Sequence, residues 1–215
     1  MKVKWLGHSC FLITSETGLR IITDPYSTGD GINYSPINEA ADIVMVSHNH
    51  RDHNNIAAIR GNPEVITGSG TKSAKGIQFR GIASHHDESK GKERGANTIF
   101  CFTMDGIRLC HSGDLGHELS REEIAQIGNV DVLFIPIGGF FTINAKGASK
   151  VADDLKPKVI IPMHYKTPEC DFSITGVESF LAGKKNVNKL NSSETEFKAG
   201  NLPEATEIVV LQPAL

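Results

Sequence analysis

The chain lacks the features that mark secreted mini-proteins, membrane proteins and nucleic-acid binders. Its only cysteines are Cys10, Cys101, Cys110 and Cys170, and no two stand in a CxxC spacing. They form no small disulfide framework, which suits a reducing cytosol. No apolar run approaches the roughly 18 residues needed to span a bilayer. Residues 1 to 14, MKVKWLGHSCFLIT, place two lysines ahead of apolar residues, as a signal peptide does. Gly7, His8 and Ser9 interrupt that stretch, and no small-residue cleavage site follows, so a first strand is the better reading. Formal net charge is −3, so no global positive field recruits nucleic acid or an anionic membrane. There is no linker, repeat or low-complexity tract. A single cytoplasmic domain over residues 1–215 is therefore expected.

What is present is an ordinary globular composition, 39% hydrophobic and 22% charged, enough to bury a core. The N-terminal half reads as short strands and turns: VKWLG, CFLIT, the turn SETG, then LRIITDP. After a loop at 25–38 comes ADIVMVS at 41–47, a nearly unbroken apolar run expected to be a strand buried on both faces. NNIAAIRG reads as a short helix closed by Gly61. EVIT, IQFRGIAS and NTIFCFTM continue the strands, and Asp105-Gly106 is a hairpin turn leading into IRLCHSGD. Ser120 and Glu123 make a capping-box pattern, as do Thr175 and Glu178. Ala148, Val151, Ala152 and Leu155 fall at helical spacing between the strands DVLFIPIGG and KVIIPMH. EIVVLQP closes the chain as a strand, and KKNVNK at 184–189 reads as a solvated loop. Strands outnumber helices, which points to α/β or α+β layering.

The chemistry-bearing residues follow apolar strands. Asp24, His48, the pair His85-His86, Asp114 and His164 each stand at or just past a strand end. Strand ends sharing one rim of a sheet are a usual place to assemble a site from distant sequence. The densest stretch, VSHNHRDHNN at 46–55, holds three histidines and an aspartate within six positions. His48 and His50, two apart in an extended segment, can point to one side and grip one ion. Asp52 and His53 fall in the following turn and suit a second. His86 can complete the first set, His164 the second, and Asp114 can bridge the two. Imidazole with carboxylate suits zinc, and also iron, manganese or nickel, while arguing against magnesium or calcium. Neighbours on a strand face opposite ways, so only one of His85 and His86 should reach the metal.

The pattern His48-x-His50-x-Asp52-His53, with later His86, Asp114 and His164, resembles the metallo-β-lactamase-fold hydrolase superfamily. WLGHSCF, TDP, HHD, RGANTIF, HSGDLGH, PIGG and IPMHYKT resemble a compact subgroup of metal-dependent hydrolases. That subgroup is similar to sugar-phosphate lactonases and, more distantly, to a family of phospholipases. The resemblance implies an αββα sandwich of two pseudo-symmetric halves, dividing near residue 105, with a dimetal site at one edge. It implies a hydroxide bridging two divalent ions, and hydrolysis without a covalent enzyme intermediate. Asp52 and Asp114 are the carboxylates expected to take part in catalysis. Asp24 matches the superfamily's first motif, a carboxylate that hydrogen-bonds the metal-binding loop. His86 followed by Asp87 matches the subgroup's third motif, which favours His86 over His85.

Other residues carry competing readings. His8 is either a pocket-lining group or a structural histidine, and His111 and His117 read as structural. Cys110 reads as core. Arg94 and Asn97 lie in a Gly-containing loop that could cover the site. Lys166, two residues past His164, is either an anion-binding group or a surface lysine, and it is the basis for expecting a small anionic substrate. A di-metal redox protein and a non-catalytic metal-binding module are the alternatives. The redox reading requires a flavin domain for which 215 residues leave no room, or a separate electron-transfer partner. The binding module should show eroded ligand positions, and here all are filled. No export signal supports a secreted β-lactamase, no helical C-terminal domain a glyoxalase II, and no basic exosite a tRNA-processing enzyme.

Overall fold

The computed structural model describes all residues, 1–215. Two mixed sheets carry the fold. The first has the order β13-β1-β2-β3-β4-β5, with β1 at Lys2–Gly7, β2 at Cys10–Thr14, β3 at Arg20–Thr23, β4 at Ile43–Val46, β5 at Glu64–Thr67 and β13 at Glu194–Glu196. The second sheet includes β6 at Gly70–Ala74, β7 at Ile77–His85, β8 at Ala96–Met104, β9 at Ile107–His111 and β10 at Val132–Pro136. It is completed by β11 at Val159–Met163, β12 at Val187–Lys189 and β14 at Glu207–Val210, in the order β12-β14-β11-β10-β9-β8-β7-β6.

Alternation along the strands builds the layer between the sheets. Val3, Trp5, Phe11, Ile13, Ile21, Ile43 and Met45 of the first sheet share one buried cluster with Phe79, Phe100, Phe102, Leu109 and Phe134 of the second. Trp5 is buried against Phe11 and Tyr165, its indole N–H donating to the carbonyl of His8 at 3.0 Å. β4, β10 and β11 are buried along their whole length, as their unbroken apolar runs demand. Helix α1, Arg121–Ile127, starts at the capping box read from Ser120 and Glu123. Helix α2, Ala145–Leu155, buries Ala148, Val151, Ala152 and Leu155 and is capped by the Asn144 side chain. Asp105 and Gly106 both take positive φ (50° and 74°), the geometry of a tight hairpin between β8 and β9.

The sandwich matches the expected architecture, with some differences in its parts. On the outer face of the first sheet a second cluster, including Leu6, Ile22, Tyr26, Tyr34, Val44 and Ile59, is covered by loops. The helix expected over 54–61 is a single 3-10 turn, Ile56–Ala58, because Ile59 is already extended and Arg60 bridges to Ala40. The chain changes sheets between β5 and β6 rather than near residue 105, and returns once, through β13, to flank β1. Thr175 does not cap helix α3 (Glu178–Leu181); its hydroxyl donates to the carbonyl of Gly138 at 3.0 Å. The segment read as a loop at 184–189 contributes the edge strand β12, in parallel register with β14. No helix is long and apolar enough to cross a membrane.

Candidate metal centre

Six strand ends converge on one rim. His8 follows β1, Asp24 follows β3, His48 lies just past β4, His86 follows β7, Asp114 lies just past β9 and His164 follows β11. Asp114 is at the middle. Its Oδ2 lies 2.9 Å from His86 Nε2, 3.1 Å from His53 Nε2, 3.2 Å from His164 Nε2 and 3.9 Å from His48 Nε2. Yet His53 Nε2 and His164 Nε2 are buried without a hydrogen-bond partner, as are His86 Nδ1 and Asp114 Oδ1. Burying so many unpaired polar atoms in one place costs several kcal/mol, roughly 1–3 for each, unless something else binds them.

The donors fall into groups. His48, His50 and His86 form one, and His8, Asp52, His53 and His164 another, with donor atoms in each within 4.8 Å of one another. Asp24, His48 and His53 make a third by distance alone. Asp24 has no oxygen to spare, however. Oδ1 accepts from the Ser47 amide at 2.7 Å, and Oδ2 from the Ser47 hydroxyl at 2.6 Å and from His53 Nδ1 at 2.9 Å. Asp24 therefore fixes the loop and holds the His53 ring by Nδ1, which leaves Nε2 aimed at the cluster. The Ser47 hydroxyl also lies 2.9 Å from His48 Nδ1, which orients that ring.

Electrostatics keep the cluster ready for cations. Burial, with the neighbouring His53 charge, pushes His48 down to about 3, and burial with His164 pushes His8 down to about 4. Both imidazoles are neutral and hold an available lone pair. Burial also opposes ionisation of Asp114, but His164 and His53 outweigh it and hold the carboxyl well below its usual range. At His53 burial favours the neutral ring, and the Asp114 and Asp52 charges override it, raising its pKa. Unpaired imidazole nitrogens around anionic carboxylates are a donor set that fits divalent metal ions.

Each residue singled out in the sequence has a place. His86 enters the cluster, whereas His85 turns away and packs on His117 with ring centroids 5.5 Å apart. His8 is buried with Nε2 3.2 Å from Asp52 Oδ2, so it positions that carboxylate. Asn97 does not cover the site. It is buried beneath it, donating to the Ser84 hydroxyl and the Ser112 carbonyl and accepting the Asp114 amide at 2.9 Å. His111 spans Ser9 and Gly113 and is structural. Cys110 is core. Lys166 is exposed and reaches back to the Phe172 carbonyl at 3.4 Å. It is absent from the wall of the cavity over the cluster, about 290 Å³, which is lined by His50, Asp52, His86, Glu93, Arg94, Asp114, Phe141, His164 and Phe172. The cation in that wall is Arg94.

Residues missed in the sequence include Asn97's supporting role and two glycines. A Cβ at Gly116 would lie 2.2 Å from the His86 backbone, and one at Gly113 would lie 2.3 Å from Asn97 Oδ1. The two glycines in HSGDLG flanking Asp114 were the available signal, since close backbone approach is what glycine permits.

A family model described as the beta-lactamase superfamily domain matches residues 2–164, a span that holds every residue of the cluster. The chain belongs to the metallo-β-lactamase superfamily. A UPF0173 metal-dependent hydrolase of Archaeoglobus fulgidus is 32% identical, over 78% of this chain and 84% of the relative. One from Pelotomaculum thermopropionicum is 31% identical over 78% and 85%. A solved Thermotoga maritima structure, described as belonging to the metallo-β-lactamase superfamily, shares 36% identity. It has a TM-score of 0.81 and covers 98% of this chain and 97% of that one. CmlA, a diiron β-hydroxylase from Streptomyces venezuelae, is alike in fold alone, with 15% identity, a TM-score of 0.57, and 76% and 44% of the two chains covered. As a member of this superfamily with such relatives, the chain is a metal-dependent hydrolase with a candidate His/Asp metal-binding cluster.

Proposed function

We propose that the enzyme hydrolyses an ester, lactone or phosphodiester bond of a small anionic molecule, at a centre of two divalent ions, zinc in first place and manganese, iron or nickel otherwise. The observation that carries this reading is the set of unpaired buried nitrogens, His53 Nε2 and His164 Nε2, facing Asp114. His48, His50 and His86 would hold one ion; Asp52, His53 and His164 would hold the other; and Asp114 stands between the groups. Such ions supply Lewis acidity toward the scissile carbonyl or phosphoryl group and an acidified water as nucleophile near neutral pH.

The chain's own residues do the rest. Asp24 holds the His53 ring by Nδ1, so the ring presents its other nitrogen. Asn97 pins the Asp114 amide and keeps that carboxylate at the meeting point of four imidazoles. Asp52 is part-exposed, lines the cavity and is steadied by His8, which makes it the carboxylate placed to take the proton of the attacking water. Its pKa lies below the usual carboxylate range: burial opposes this, but the His53 charge and hydrogen bonds from His53 and His8 prevail. Asp52 is therefore anionic at neutral pH, as a base must be.

The test begins with protein purified without chelator. Elemental analysis should find two divalent ions per chain, and a panel of esters, lactones and phosphodiesters should show turnover. Chelation should abolish that turnover, and zinc or manganese should restore it. Full activity after verified metal removal would refute this function.

A further inference from the structure

The loop after His86 is built to hold Arg94 in place. Asp87 uses both oxygens on it, accepting from the amides of Gly91 at 2.8 Å, Glu93 at 3.1 Å and Arg94 at 2.8 Å. Backbone bonds from Gly95 to Gly91 and from His86 to Gly95 close the turn. Yet the Arg94 guanidinium itself makes no hydrogen bond. Its sole ionic neighbour is Glu93 at 3.7 Å, beyond hydrogen-bond range, and Glu93 already accepts from the Ser89 hydroxyl at 2.7 Å.

The neighbours of the guanidinium are aromatic. Its central carbon lies 6.0 Å from the Phe140 ring centroid and 5.8 Å from that of Phe141. Phe140 is the most exposed large apolar side chain, at 65%, and sits at φ 62°, a left-handed conformation a bulky residue rarely adopts. Strain of that kind costs about 1–3 kcal/mol and concentrates at ligand sites. From Phe141 the wall continues to Phe172, 5.3 Å between centroids, and Phe172 packs in turn against the buried His8 at 5.8 Å. The cavity wall thus carries both the metal-type donors and Arg94, whose guanidinium lies within cation–π range of phenyl rings and makes no hydrogen bond.

We propose that Arg94 binds a carboxylate or phosphate of the substrate, while a flat apolar body of that substrate lies along Phe141 and Phe172. A guanidinium with its N–H groups free of hydrogen bonds offers a planar fork that suits the paired oxygens of such anions. A cavity of about 290 Å³ has room for one ring with short substituents. This assignment rests on the hydrolase reading for its reacting end, and it moves the anion contact from Lys166 to Arg94.

The experiment is equilibrium binding to metal-loaded protein by calorimetry, which needs no turnover. The probes are benzoate, phenylphosphate, benzamide and acetate. The proteins are wild type, Arg94→Met, Arg94→Lys and Phe141→Leu, each checked for metal content. Wild type should bind benzoate or phenylphosphate at least tenfold more tightly than benzamide, and the stronger of the two identifies the preferred anion. Arg94→Met should weaken that anion by about tenfold to a hundredfold and leave benzamide unchanged. Arg94→Lys should keep only part of the affinity. Phe141→Leu should narrow the gap between benzoate and acetate. Should Arg94→Met lose metal, Arg94→Lys decides alone. Equal loss for anion and amide, no loss for either, or no anion preference in wild type overturns the proposal. Arg94-dependent anion binding in a protein that hydrolyses no ester, lactone or phosphodiester would overturn the proposed hydrolysis and leave the Arg94 assignment standing.

Discussion

Replacing Asp24 by Asn should cost the enzyme metal while sparing most of its fold. The carboxylate is fully buried and takes three hydrogen bonds, from the Ser47 amide, the Ser47 hydroxyl and His53 Nδ1. Burial alone would raise its pKa, but the His53 hydrogen bond and the His111 charge pull it below the usual carboxylate value, so it is ionised at neutral pH. Asn keeps the shape but replaces one acceptor by a donor. If the amide nitrogen faces the Ser47 N–H, a buried backbone donor is orphaned at about 1–3 kcal/mol. If it takes the Oδ2 position, His53 can relieve the conflict by moving its proton to Nε2. That second arrangement is cheaper for folding and worse for metal, because Nε2 is the nitrogen aimed at the cluster. Loss of an outer partner of this kind lowers metal affinity by about 10- to 100-fold, or roughly 1.4–2.7 kcal/mol. Titration against a chromophoric chelator should show one ion weakened by that factor, while the ion at His48, His50 and His86 is retained. Two ions bound with wild-type affinity would refute the reasoning.

Further outcomes follow from the same geometry. Asp114→Ala should lower the content of both ions, measured by elemental analysis, because its Oδ2 lies within 3.9 Å of imidazoles from both groups; unchanged content would count against a shared ligand. His86→Ala should lose metal and activity, and His85→Ala should keep both, since His85 stacks on His117 outside the cluster. Lys166→Ala should leave the KM of an anionic substrate within about twofold, whereas Arg94→Met should raise it by about tenfold or more. Away from the site, two hydrogen bonds from the Arg108 guanidinium draw the Asp131 carboxyl down to about 2, against its ordinary 3.8. A depressed carboxyl adds stability that is present above pH 3.8 and fades as pH falls toward 2. With Arg108 44% exposed, screening limits this to about 1 kcal/mol. In urea denaturation, the deficit of Asp131→Asn against wild type should therefore shrink by roughly half between pH 6 and pH 3.

Much of the site was legible because its residues announce themselves by position. His48, Asp114 and His164 each sit just past an apolar run, and strand ends on one rim must meet. Local devices such as Ser120 with Glu123 and Asp105 with Gly106 were equally readable, since each closes its hydrogen bonds within four residues. What could not be read depends on direction and on long-range competition. Lys166 follows a cluster residue by two positions, yet the bridge from Lys166 to Gly176 turns it toward solvent. Arg94 stands farther from any ligand in sequence and still reaches the cavity, because Asp87 folds its loop back. Thr175 has a capping-box spacing, but the Gly138 carbonyl claims its hydroxyl first.

The backbone shows where local preference was overruled. His8, Asp24 and His164 each occupy the first position after a strand, and all three take positive φ, 52°, 39° and 49°. Glycine would suit each position better, and holding other residues there costs about 1–3 kcal/mol apiece. The gain is in aim. A strand continued for one more residue would point its side chain up or down from the sheet, whereas a left-handed residue turns it across the rim. That turn lets Asp24 reach back to Ser47 and His53, lets His8 reach Asp52, and brings His164 Nε2 to 3.2 Å from Asp114. The strain therefore collects where the chemistry is, and the two packed sheets supply the stability that holds it there.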